Sequence, residues 1–169
     1  MAGGTSCSRL FLCGVEIMIE LNDTQLRMML LSANGYGRCS QVLLLMALEA
    51  RGEENAALVR AMAGLRSGCG TEKCTCGALT GGCCLLALYA AKGSENEEAS
   101  EELPLMLREL NEWFFDMYED KFGRVDCTCI RNSREDPDPP QKRCFDIVVA
   151  TYNKCVEILE EHGFDVHKR

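Results

Sequence analysis

Between Lys73 and Lys92 the chain runs through 18 consecutive residues without a charge, 74–91, and this run constrains the architecture more than any other feature. A membrane-spanning helix takes about 20 predominantly apolar residues. Here Thr75, Gly77, Thr80, Gly81 and Gly82 interrupt the run, and its flanks are otherwise polar. A central helix over 76–92, buried on all sides by other helices, fits the pattern better. Gly77 and Gly81 are four apart and line one face of it, where a second backbone can approach closely.

The partner helices are legible. Asn22-Asp23-Thr24 reads as a helix start, with Leu26, Met29, Leu30 and Ala33 at helical spacing and Asn34-Gly35 as the stop. An apolar helix is expected over 38–51 and a shorter one over 53–65, before the flexible loop Ser67-Gly68-Cys69-Gly70-Thr71. The acidic residues 95–102 form a solvated start to a helix that runs to Phe122. Leu103, Leu107, Leu110, Phe114 and Met117 give that helix one apolar stripe. Asp136-Pro137-Asp138-Pro139-Pro140 cannot be a helix interior. The last helix, expected over 144–162, buries Val148, Thr151, Cys155 and Leu159. Strand signals are nearly absent, with weak alternation only over 14–21. The expected fold is all-α, a compact bundle of about five or six helices, with residues 1–17 as a loosely ordered extension and 18–169 as a single helical, cysteine-rich domain.

Charge and residue usage narrow the chemistry. Eighteen Lys and Arg against 26 Asp and Glu give a net −8. That argues against nucleic-acid binding, which needs a basic stripe. Both histidines, His162 and His167, lie in the last eight residues, so Ser-His-Asp and Cys-His catalysis are poorly supported. No G-x-x-x-x-G-K-[ST] or G-x-G-x-x-G fingerprint marks a nucleotide site. The methionines at 28, 29, 46, 62, 106 and 117 are scattered at helical positions and read as core. An exposed Trp113–Phe115 edge offers a contact for a homodimer or other partner. What stands out is 12 cysteines. The segment at 1–21 makes a poor export signal, so the chain reads as cytoplasmic and not bound to a membrane. There clustered cysteines bind metal or do redox work more often than they form structural disulfides.

Cys39, Cys76 and Cys144 each sit at an expected helix start, where free N–H groups and the helix dipole favour thiolate. Cys127 lies just beyond Gly123, where a helix has ended. Several helix N-termini aimed at one point would stabilise an anionic thiolate centre, and Gly77 leaves room beside Cys76 for it. Cys74-Thr75-Cys76 and Cys127-Thr128-Cys129 are C-x-C pairs that make Cys74 and Cys129 spare candidates, as extra ligands or resolving thiols. Cys83, Cys84 and Cys155 lie mid-helix among Leu and Ala and read as packing. Cys69, flanked by glycines, reads as exposed and oxidisable, and no role is assigned to Cys7 or Cys13.

These residues resemble the redox-active proteins named for the pattern C_GCAxxG_C_C. The resemblance is carried by Gly35-Tyr36-Gly37-Arg38-Cys39-Ser40-Gln41, Cys76-Gly77-Ala78-Leu79-Thr80-Gly81, Phe122-Gly123-Arg124-Val125-Asp126-Cys127 and Lys142-Arg143-Cys144. It implies a small helical protein, common in anaerobes, whose four family cysteines are redox-active. A related domain in split-Soret cytochromes implies an iron–sulfur centre of the [2Fe–2S] type. No C-x-x-C-H is present to carry a haem, and Cys74 and Cys129 depart from the pattern.

Three functions follow. The first is an iron–sulfur protein for electron transfer or redox sensing, with Cys39, Cys76, Cys127 and Cys144 as ligands and a redox protein as its partner. The second is a structural or regulatory zinc module on the same thiolates, although zinc sites more often use C-x₂-C pairs. The third is a thiol–disulfide oxidoreductase with Cys76 as a low-pKa nucleophile and Cys74 or Cys39 resolving.

Overall fold

The computed structural model describes residues 7–12, 15–20, 22–37 and 39–168, the first two segments by their backbone. Much of the expected extension at 1–17, Cys13, the side chain of Cys7, and Arg38 lie outside the described residues. The chain divides into two compact units, residues 1–36 and 37–169.

In the first unit, β1 (Cys7–Leu12) and β2 (Val15–Glu20) form an antiparallel hairpin with Cys7 opposite Glu20 and Leu12 opposite Val15. The weak alternation over 14–21 falls on β2; β1 carried no signal of its own. Helix α1 (Asp23–Ala33) begins with a capping box. Asn22 Oδ1 accepts from the Gln25 N–H at 2.8 Å, and Gln25 Oε1 accepts from the Asn22 N–H at 3.1 Å, so two orphan donors satisfy each other's partners.

The second unit is helical: α2 (Ser40–Ala50), α3 (Ala56–Met62), a 3-10 turn (Ala63–Leu65), α4 (Gly77–Ala90), α5 (Leu103–Phe122), α6 (Cys127–Asn132) and α7 (Pro140–Glu161). The fold class is therefore all-α, with the hairpin as the exception. The uncharged run forms α4, which packs against α2, α5 and α7 and buries Ala78, Leu79, Leu85 and Leu86. Its 14 residues reach about 21 Å at 1.5 Å per residue, short of a bilayer core. Among the described residues no helix is long and apolar enough to cross a membrane.

Small residues set how closely α4 meets its neighbours. A Cβ on Gly81 would lie 2.7 Å from Ser40 Cα, and one on Gly82 would lie 2.9 Å from Thr151 Cγ2. The first is a backbone contact and cannot yield by a rotamer change. Gly81→Val is expected to cost about 2 kcal/mol or more in urea denaturation, because overpacking outweighs the gain of about 0.5 kcal/mol in helix propensity. A variant as stable as the parent would show that α2 and α4 can separate freely.

One boundary and one buried face differ from expectation. The last helix starts at Pro140, with Pro139 as its N-cap. Proline is tolerated at a first helical position because its missing N–H would be unpaired there anyway. On α5 the buried stripe is Met106, Leu110, Phe114, Tyr118 and Phe122, while Met117 is 52% exposed. Four-residue steps advance the stripe about 40° each, so it winds around α5 between α4 and α7 instead of holding one line.

At the far end of α7, His162 stands between two carboxylates of the α5 region, with Nδ1 2.8 Å from Glu102 Oε2 and Nε2 3.3 Å from Glu109 Oε2. The hydrogen bond to Glu102 leads in raising its pKa above 6.5. A raised folded-state value means the stabilisation is complete below the unfolded value and is lost as pH climbs through the folded one. The Tm of the parent should therefore fall relative to that of His162→Gln as pH rises above 6.5. Parallel profiles would remove the ion pair from the stability of the fold.

Candidate thiol site

The site is built around the starts of α2, α4 and α6, with α4 and α6 packed against α7. Cys39 is the N-cap of α2, Cys76 the N-cap of α4, and Cys127 the first residue of α6. Cys144 does not open its helix as expected. It sits in the second turn of α7, because Pro140 starts that helix four residues earlier. Cys127, expected outside a helix, takes its place among the three at helix starts.

Each position has a local cause. Ser40 is fully buried and its hydroxyl donates to the Met62 carbonyl at 2.7 Å, while Gln41 donates to the Val59 carbonyl at 3.0 Å and accepts from the Gly37 N–H at 2.9 Å. These bonds tie the Cys39 end of α2 to α3. A Cβ on Gly37 would collide with the Arg66 side chain and lie 2.7 Å from Gln41 Oε1. The Gly-x-Cys-Ser-Gln segment is thus a bracket for Cys39.

Cys76 and Cys127 are joined through their backbones. Thr75 and Asp126 form an antiparallel bridge, with the Cys76 N–H on the Val125 carbonyl at 2.9 Å and the Cys127 N–H on the Cys74 carbonyl at 3.1 Å. Asp126 caps α6 by accepting from the Cys129 N–H at 2.8 Å. Gly77 lets Cys39 pack directly on α4: a Cβ there would lie 2.7 Å from Cys39 Sγ and 3.0 Å from the Leu65 carbonyl.

The segment beneath is not predictable from local pattern. Ser67, Gly68, Cys69 and Gly70 all take positive φ, at 53°, 57°, 55° and 76°, forming one left-handed turn. Two of these are not glycine, and each costs roughly 1–2 kcal/mol in this region. Hydrogen bonds from Gly70 to Arg66 and from Glu72 to Ser67 hold the turn. Gly68 packs against the Cys127 Cβ and the Cys74 backbone, where its own Cβ would lie 3.1 and 2.7 Å away. The Ser-Gly-Cys-Gly run is the signal for it in the sequence, and such a run suits a flexible loop equally well.

The electrostatics bring the four family cysteines together. Burial is the main cause that pushes the Cys76 thiol up to about 12; charges on Cys39, Cys144 and Cys127 add to it, and the Ala78 N–H opposes it. Burial also leads in pushing Cys127 up to about 11, followed by the charge on Cys144, with Cys39 contributing and Arg131 opposing. Every one of the four therefore lies within electrostatic reach of at least two others. The lowering expected of Cys76 at its helix start does not occur, and Cys127, which also starts a helix, rises as well. A rise from 9.0 to about 12 is worth about 4 kcal/mol, against typically 0.3–1 kcal/mol from a helix terminus. Cys76 is thus no low-pKa nucleophile in the metal-free protein.

The remaining thiols divide by exposure. Cys69 and Cys74 are exposed, Cys129 is partly buried and hydrogen-bonded to Asp126 Oδ2 at 3.5 Å, and Cys155 is fully buried against the Gly82 carbonyl. Cys83 accepts from Asn111 at 3.7 Å, and Cys84 packs beside the Leu44, Leu48, Val59 and Met62 cluster. Among the described residues, no three His, Cys, Asp or Glu side chains are grouped so as to hold a single metal ion.

Residues 37–158 match the family described as "Putative redox-active protein (C_GCAxxG_C_C)". The chain belongs to this family. The C_GCAxxG_C_C match begins at the Gly37 bracket and ends in α7, so it takes in all four thiols and each helix that carries them. Neither the curated proteins nor the solved structures contain a match.

Proposed function

We propose that this member of the C_GCAxxG_C_C family is a cytoplasmic iron–sulfur protein for electron transfer or redox sensing. Cys39, Cys76, Cys127 and Cys144 would hold a [2Fe–2S] centre, which supplies one-electron exchange when bound. The observation that carries this reading is the packing of Cys39 Sγ on Gly77 beside Cys76, whose strand bridge Thr75–Asp126 joins it to Cys127, with Cys144 within electrostatic reach of both. Four thiols match the donor set of such a cluster in type and number. A binuclear core asks for only two thiolates per metal, so it does not require three side chains to meet on one ion. A tetrahedral zinc site does, and that ranks zinc second. The chain's own contribution is to bury Cys76 and Cys127, to present the Ala78 N–H to the Cys76 sulfur, and to let the Cys39 sulfur close on α4 where Gly77 has no Cβ. Burial and N–H groups on sulfur tune the potential of such centres.

The test is anaerobic purification followed by a spectrum and elemental analysis of the same sample. Brown protein with bands at about 320–480 nm and stoichiometric iron and sulfide supports the reading; Cys76→Ser should lose both. Colourless protein without iron or sulfide overturns it, and zinc in their place selects the second reading.

A further inference from the structure

Arg143 is 4% exposed, yet it is one of the most heavily bonded side chains in the protein. Its Nη1 donates to the carbonyls of Ile130 at 2.7 Å and Arg131 at 3.1 Å, in the last turn of α6. Its Nη2 donates to Ser133 at 3.3 Å, Asp136 at 3.1 Å and Asp138 at 2.8 Å. The Nε lies 3.5 Å from Asp136 Oδ2, a carboxylate also held by Lys121 at 2.7 Å, and the guanidinium lies 5.8 Å from the Phe122 ring centre. One side chain on α7 thus gathers five carbonyls spanning the end of α6 and the whole loop that leads to α7.

That matters because α6 is six residues long, too short to hold its shape alone. Its first residue is Cys127, and Cys144 follows Arg143 directly. A lysine carries the same charge but lacks the planar fork that reaches several carbonyls at once. We propose that Arg143 is the positioning residue of the thiol site, fixing Cys127 of α6 against Cys144 of α7. This rests on the reading that those two cysteines share one site, and does not depend on what they bind.

The test uses the reduced, metal-free full chain and dibromobimane, which links two neighbouring thiols. Peptide mass spectrometry measures the Cys127–Cys144 bridge relative to single labelling of exposed Cys69 by monobromobimane. The parent should form the bridge, and Arg143→Lys should form it about tenfold more slowly relative to Cys69, because proximity sets the rate. Ile158→Val, a core change elsewhere on α7, should leave the ratio unaltered, which separates positioning from loss of stability. An unchanged ratio in folded Arg143→Lys, or no bridge in the parent, overturns the proposal. Should Arg143→Lys not fold, the ratio is read in Asp136→Asn, where a drop of about threefold is expected and no drop overturns the proposal. Iron and sulfide content of the parent, measured on a separate sample, judges the iron–sulfur reading independently of the bridge.

Discussion

Iodoacetamide added to the reduced, metal-free protein at pH 7 is expected to label Cys69 and Cys74 about a thousandfold faster than Cys76. The thiolate is the nucleophile, so the rate follows the ionised fraction and the access of the reagent. Cys69 and Cys74 are exposed. Cys76 is buried and pushed from 9.0 to about 12, which lowers its ionised fraction at neutral pH about a thousandfold below that of an ordinary thiol. Cys127, pushed to about 11, should follow at about a hundredfold. A time course read by peptide mass spectrometry gives the order directly. Rapid labelling of Cys76 would revive the thiol–disulfide oxidoreductase and remove the case for a dry, mutually repelling set of thiols.

Arg143→Met should be among the most destabilising single changes in the chain. Methionine keeps much of the side-chain volume, so the loss is of bonding: five carbonyls lose their shared donor, and Asp136 retains only Lys121 and the Asp138 N–H. Removing one member of a buried charged network costs about 3–5 kcal/mol. The neighbouring Lys142 makes ion pairs of 2.8 Å to Asp138 and Asp146 at the exposed surface, and Lys142→Ala should leave stability nearly unchanged, because water screens such pairs. Urea denaturation of both variants beside the parent checks the contrast. Equal effects would mean that the carbonyls of the 130–138 loop are satisfied by water once Arg143 is gone.

The two residues were indistinguishable in the sequence, since Lys142 and Arg143 are adjacent cations after a proline pair. Their difference lies in which way each points from α7, and that depends on where α6 ends. The left-handed turn at Ser67–Gly70 is similar: a glycine-rich run permits it, but Gly68 takes that shape because Cys127 and Cys74 pack on it. The alternation over 14–21 located one strand of the hairpin, while its partner is defined by pairing.

Local pattern settled what depends on neighbours along the chain. The absence of charge over 74–91 made α4 central, the glycines at 77 and 81 set its close approach to α2, and the turn signals marked the helix ends. Positions at the expected helix ends, together with the resemblance, singled out Cys39, Cys76, Cys127 and Cys144 as candidates. Only the folded chain decided that those thiols feel one another, that Cys144 stands a turn inside its helix, and that burial raises the pKa values of Cys76 and Cys127. Desolvation is summed over everything packed around a sulfur, and most of that comes from residues far away in sequence.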